Sequence, residues 1–147
     1  EGPGKFRGGL GMRRDYHFPD DPATFTVLSD RDIEGPQGIF GGMAGRKAYY
    51  VLNPDDPDGE VSELTSKCVV DLKPGDTVSF QTPGGGGYGP PTERDPKLVL
   101  KDVIGGKINH QRAMNLYGVV IDSESNTVDT SATTEARNQL HSSRDSI

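Results

Sequence analysis

Four consecutive glycines, Gly84 to Gly87, stand between Pro83 and Tyr88 in the run QTPGGGGYGPPTERDP. Glycine loses more conformational freedom on folding than any other residue, roughly a kilocalorie per mole relative to alanine. A fold that keeps such a tract must use the missing side chains. It can cradle a phosphate, make a turn that no side chain would fit, or let another segment come close. Gly84, Gly86 and Gly89 satisfy G-x-G-x-x-G after a strand-like run. A dinucleotide site, however, needs a helix to open at once, so that its N-terminus meets the pyrophosphate. Pro90 and Pro91 stand there instead, and no Gly-Lys-Ser/Thr follows for a P-loop. The preferred reading is a loop packed against protein backbone.

Two further glycine clusters frame this one. PQGIFGGMAGRK, Pro36 to Lys47, can be read as an anion nest ending in Arg46 and Lys47. It also reads as a connection whose Ile39, Phe40 and Met43 plug a core or an interface, and that reading is preferred. GPGKFRGGLGMRR carries Lys5, Arg7, Arg13 and Arg14, the dense basic patch of the chain. It could receive a carboxylate or bicarbonate, but pairing with acidic surface of a neighbouring chain is favoured. Arg7, with Phe6 beside it, precedes glycines that permit close approach, so its planar fork is expected on a carboxylate across an interface. The interface or loop candidates are therefore Phe6, Arg7, Arg46, Gly84, Gly85, Gly86, Gly87 and Tyr88. Gly85 and Gly86 are expected at a backbone seam, with φ values closed to other residues.

Between the clusters lie short strand-like runs: Arg13 to Phe18, Ala23 to Ser29, Lys47 to Leu52, Lys67 to Leu72 and Thr77 to Gln81. In ATFTVLS, Phe25 and Val27 alternate with threonines, the period of a half-buried strand. LKPGD predicts a tight turn with a positive φ at Gly75. After the glycine tract the pattern turns helical. Asp95 caps a helix with Pro96 at its first position, ended by Gly105 and Gly106. Asn109 starts a shorter helix stopped by Gly118, VVID reads as a strand, and Asp129 caps a last helix. The fold class is α+β, with a β-rich N-terminal two-thirds carrying glycine-rich loops, then short helices and a strand near the C-terminus. The 147 residues form a single module, with 141–147 expected as a frayed tail.

Only 31% of residues are hydrophobic and tryptophan is absent, so the core is thin and burial against a partner is expected. A net charge of -6 argues against nucleic acid as a partner. A single cysteine, Cys68, excludes an internal disulfide or a multi-cysteine zinc site and suits a cytoplasmic setting. It alternates into a strand, which favours burial over nucleophilic use. His17, His110 and His141 fall at no metal-ligand spacing, and Asp55, Asp56 and Asp58 lack the bidentate glutamate of a calcium loop. No apolar run is long enough to span a membrane. Spacing alone defines no catalytic centre and no metal site. The chain begins at Glu1, inside a glycine-rich pattern, which is read as a fragment or a processed chain.

Taken in order, GPGKFRGGLGMRRDY, LSDR, GPQGIFGGMAG, LKPGD, TPGGGGYGPPTERDP, the DV-x-x-G-K helix end and YGVVI resemble the C-terminal part of the hydantoinase B/5-oxoprolinase family. The resemblance runs from Gly2 to about Leu140. One departure is Pro90 in GYGPP, where an acidic residue is usual. The resemblance implies the closing module of a large metal-bearing subunit, partnered by a hydantoinase A-type ATPase chain and acting on a small molecule. Such pairs open hydantoins, 5-oxoproline and related cyclic amides, or carboxylate ketones such as acetone and acetophenone; the alternative is a non-catalytic interaction module whose glycine loops bind another chain without turnover. ATP would phosphorylate the substrate's carbonyl or enol oxygen. ATP and a divalent metal are expected elsewhere in the complex, and this chain itself should hold neither.

Overall fold

In the computed structural model, which describes residues 1–55 and 62–144 with side chains as far as 140, the strand periods emerge as sheets. The β1 strand is Arg13–His17, β2 Ala23–Leu28, β3 Tyr49–Leu52, β4 Ser62–Leu64, β5 Lys67–Leu72 and β6 Thr77–Gln81. A four-stranded antiparallel sheet has the order β1-β6-β3-β4, and β2 pairs with β5 in a separate ribbon. In that ribbon Val27 faces Cys68 and Phe25 faces Val70, and the threonines between them are exposed, as the alternation predicts. The Lys73–Asp76 turn carries Gly75 at φ 91°, the positive value its turn chemistry calls for.

The helical part follows its capping residues. Asp95 accepts a hydrogen bond from the Lys97 amide and starts α1 (Pro96–Ile104). Asn109 accepts from the Arg112 amide and starts α2 (His110–Tyr117), which Gly118 ends at φ 62°. Asp129 accepts from the Ala132 amide ahead of α3 (Thr130–Arg144). Between α2 and α3, Ile121–Asp122 (β7) pairs with Thr127–Val128 (β8). Helix α3 is described to Arg144, and the rest of the expected tail lies outside the described residues.

The buried side chains fall into two clusters. Val27, Ala48 and Tyr50 pack with Phe25, Leu64, Cys68 and Phe80 between the sheets. The Tyr50 and Phe80 rings lie 4.9 Å apart, and the Tyr50 hydroxyl pairs with Ser29. Val99, Ile108, Ala113, Tyr117 and Val119 form the second cluster beneath the helices. Of the three glycine segments, 84–89 lies between the two clusters along the chain, 2–11 precedes both and 35–46 falls within the span of the first.

Candidate functional site

Three bare stretches of backbone, 2–11, 35–46 and 84–89, lie against one another and exchange hydrogen bonds along their length. Gly2 donates to the Gly85 carbonyl at 2.8 Å, and the Gly85 amide donates to Gly9 at 2.9 Å. Gly87 donates to Met43, Met43 to Pro3, and Ile39 to Gly87, at 2.8 to 3.0 Å. Phe6 and Tyr88 exchange both of their backbone bonds. The backbones approach this closely because side chains are absent. A Cβ on Gly86 would overlap the Gln37 carbonyl oxygen, and one on Gly87 the Pro3 carbonyl oxygen. The expected special φ values at Gly85 and Gly86 are not found, because positive φ in this tract occurs only at Gly89. Steric closeness, and not torsion, is what demands glycine at Gly86. Gly85 has more room, its nearest atom being the Gly9 amide nitrogen at 3.1 Å.

Beside the seam lies a buried charge cluster that spacing did not reveal. Asp102, on α1 and 3% exposed, accepts from Arg7 Nε and Arg94 Nη2 at 2.9 Å each. Lys107 Nζ approaches its other oxygen at 3.3 Å. Arg7 thus meets a carboxylate within its own chain, and its Nη1 also donates to the Gly8 carbonyl. Arg94, ahead of α1, donates Nη1 to the Lys5 carbonyl and Nη2 to Asp102, and so links α1 to the first glycine segment. Burial pushes the Asp102 carboxyl up, but Arg7, Arg94 and Lys107 outweigh it and hold it below the usual carboxylate range. Tyr117 lies nearby with its hydroxyl fully buried and unpartnered among the described residues, and burial pushes its pKa up to about 12. The readable signal was Asp102 itself, three residues after Val99 on the apolar face of a short helix.

Two surfaces open from the seam. On one, Phe6, Phe40 and Tyr88 form an exposed aromatic rim. The Phe40 and Tyr88 rings are 5.2 Å apart and those of Phe6 and Tyr88 6.0 Å apart, with Ile39 bridged to Tyr88 through backbone. Tyr88 is 47% exposed and Phe40 75%. On the other, a cleft of about 690 Å³ gathers Arg13, Arg46, Lys47, Lys107 and Arg112, with Glu1. The Arg46 carbonyl accepts from the Gly84 amide at 3.1 Å, which pins this arginine's backbone to the tract.

The remaining candidates are scattered. His17 Nδ1 pairs with the Thr77 hydroxyl at 3.0 Å, and Cys68 is half-buried against the sheet core. Asp55 pairs with Arg13 at 3.4 Å, while Asp56 and Asp58 lie outside the described residues. Among the described residues no three His, Cys, Asp or Glu side chains are grouped to hold a metal ion. Nor does a helix open at the glycine tract, since α1 starts only at Pro96. The metal and the nucleotide that the resemblance implies therefore do not fit the described residues. No described helix is long and apolar enough to cross a membrane.

The family model described as Hydantoinase B/oxoprolinase matches residues 1–91. The B-type component of a putative D-/L-hydantoinase from a Pseudomonas species is 36% identical over 92% of this chain and 22% of its own length. The crystal structure of the ATP-dependent caprolactamase from Pseudomonas jessenii superposes with a TM-score of 0.75 at 30% identity, over 92% of this chain and 24% of that one. A nucleotide-free acetone carboxylase shares the fold, with a TM-score of 0.79 at 22% identity over 99% of this chain and 24% of that one. The chain spans about a fifth of the length of the curated relatives it matches.

Proposed function

The chain belongs to the hydantoinase B/oxoprolinase family, and on that premise we propose that it is a non-ATP-binding component of an ATP-dependent cyclic-amide hydrolase. In this reading it shapes and assembles the metal-bearing subunit and works in the cytoplasm with an A-type ATPase partner. ATP and the divalent metal are held by other parts of the complex. Two relatives at 30% identity or more are named for cyclic amides, hydantoin and caprolactam, which favours hydrolysis over ketone carboxylation. The observation that carries the assembly role is the aromatic rim. Phe6, Phe40 and Tyr88 stand exposed on backbone that is hydrogen-bonded between the three glycine segments. Exposed aromatics clustered on a fixed support are the composition of an interface centre, and solvent gives them no compensation. Phe40→Ser combined with Tyr88→Ser is expected to weaken association with the co-expressed remainder of the subunit about tenfold or more. Turnover of hydantoin, 5-oxoproline or caprolactam by the reconstituted complex, with none of acetone and bicarbonate, checks the reaction. Carboxylation without amide hydrolysis would replace this reading by the ketone-carboxylase one.

A further inference from the structure

The four-stranded sheet ends on β1, and among the described residues no strand lies on its outer side. The ladder fixes which backbone groups that edge presents. The Thr82 amide donates to the Met12 carbonyl and the Phe18 amide to the Asp76 carbonyl, each at 2.9 Å. In an antiparallel pair alternate residues bond the neighbour, so Arg14 and Tyr16 turn their amides and carbonyls to β6. Arg13, Asp15 and His17 turn theirs outward, and all five residues of the strand are exposed. Beside this edge an apolar trough of about 460 Å³ opens between the sheet and the β2–β5 ribbon. Met12, Arg14, Tyr16 and Phe18 line it from β1 and its flanks, Phe25 from β2 and Phe80 from β6. Arg14 is the one charged residue of that lining and has no hydrogen-bond or ion-pair partner among the described residues.

We propose that the outer edge of β1 receives an extended segment of a separate protein chain as a further strand, with an apolar side chain in the trough and an acidic one on Arg14. The outward amides and carbonyls supply the pairing, and the trough selects the alternate side chains of the incoming strand. Arginine's planar fork, left without a partner beside apolar surface, calls for a carboxylate there. Charge decides against a second copy of this chain. In a two-fold dimer the strand facing β1 is β1 itself, and the face it would lend carries Met12, Arg14, Tyr16 and Phe18 with no carboxylate. Composition decides against a permanent internal seam. The outward residues Arg13, Asp15 and His17 are charged or polar, which keeps an unpaired edge soluble and suits a contact between separately folded chains. The proposal stands on this edge alone, apart from the aromatic rim and from the reaction.

The test reads hydrogen exchange of β1, residue by residue, in the complex in which the protein is purified. The amides of Arg13, Asp15 and His17 are expected to exchange as slowly as those of Arg14 and Tyr16, because both sets are then paired. Asp15→Pro removes one outward amide and leaves the bonds to β6 in place, the position at which an edge strand tolerates proline. Arg14→Glu reverses the charge of the trough and touches no backbone bond. Each should weaken retention of the partner chain about tenfold, with the control Lys67→Glu, on β5 and outside the trough, leaving it unchanged. Unaltered exchange at Tyr50 and Val78, in the inner strands, shows that the variants stay folded. Fast amides at Arg13, Asp15 and His17 beside slow ones at Arg14 and Tyr16 in the complex would overturn the proposal. So would undiminished retention by Arg14→Glu, or edge protection that grows with the concentration of this chain freed of other proteins.

Discussion

At the scale of single residues, closeness of backbone explains more than torsion does. Gly86→Ala sets a methyl group against the Gln37 carbonyl and is expected to cost about 3 kcal/mol, the upper end of overpacking penalties. Gly9→Ala, where a Cβ meets nothing within 4 Å, should leave melting nearly unchanged. Equal melting of the two variants would mean that the seam is loose. Asp102 makes the other residue-scale expectation. Asp102→Asn leaves Arg7 and Arg94 facing a neutral amide, and breaking a buried pair costs about 3–5 kcal/mol. The folded chain binds the Asp102 proton more weakly than the unfolded chain does, because the Asp102 carboxyl is held low. Its stabilisation is therefore complete above the unfolded value near pH ~4 and is lost as pH falls through the lower folded value. Denaturant midpoints of wild type and Asp102→Asn should accordingly stay separated at neutrality, begin to approach each other as pH falls below about 4, and meet only below the folded value.

At the scale of elements, the helices are set by local chemistry and their docking by a few long contacts. Asn109 satisfies the Arg112 amide at 2.8 Å, so Asn109→Ala should lower stability by about 1 kcal/mol, read from chemical denaturation. A loss near zero would show that α2 is held by packing alone. This cap, like Asp95 and Asp129, was legible because an N-cap depends on residues within one turn. The strands Ala23–Leu28 and Lys67–Leu72 were legible through their alternation. Ser62–Leu64 and Thr127–Val128 were not, for three and two residues hold no period. They exist because a neighbouring strand offers unpaired backbone groups.

At the scale of the whole molecule, the glycine seam ties the first twelve residues to the segments 35–46 and 82–89 by backbone hydrogen bonds. Arg137 of α3 extends the connection, its Nη2 donating to the Arg94 carbonyl. If the seam is the rigid centre, the amides of Gly85, Gly87 and Met43 should exchange with solvent as slowly as those of Tyr50 and Val78 in the sheet. Exchange on the timescale of an open loop would show the three segments to be separable and would remove the fixed support for the aromatic rim.

From the sequence alone came the α+β order, the caps, the turn at Gly75 and the conclusion that the glycine tract meets backbone and not phosphate. Each depends on chemistry within a few residues, or on the absence of a helix where a nucleotide site would need one. Only the tertiary structure decided which backbone the tract meets, since Gly86 and Gln37 lie far apart in the chain. It also decided that the Arg7 fork meets Asp102 and that Arg46 opens into a cleft with four other cations. Glycine has no side chain to carry a pattern, and an ion pair between residues 7 and 102 leaves no period to read. Contacts of that kind become definite only once long loops have closed and burial has selected which charges can be left without a partner.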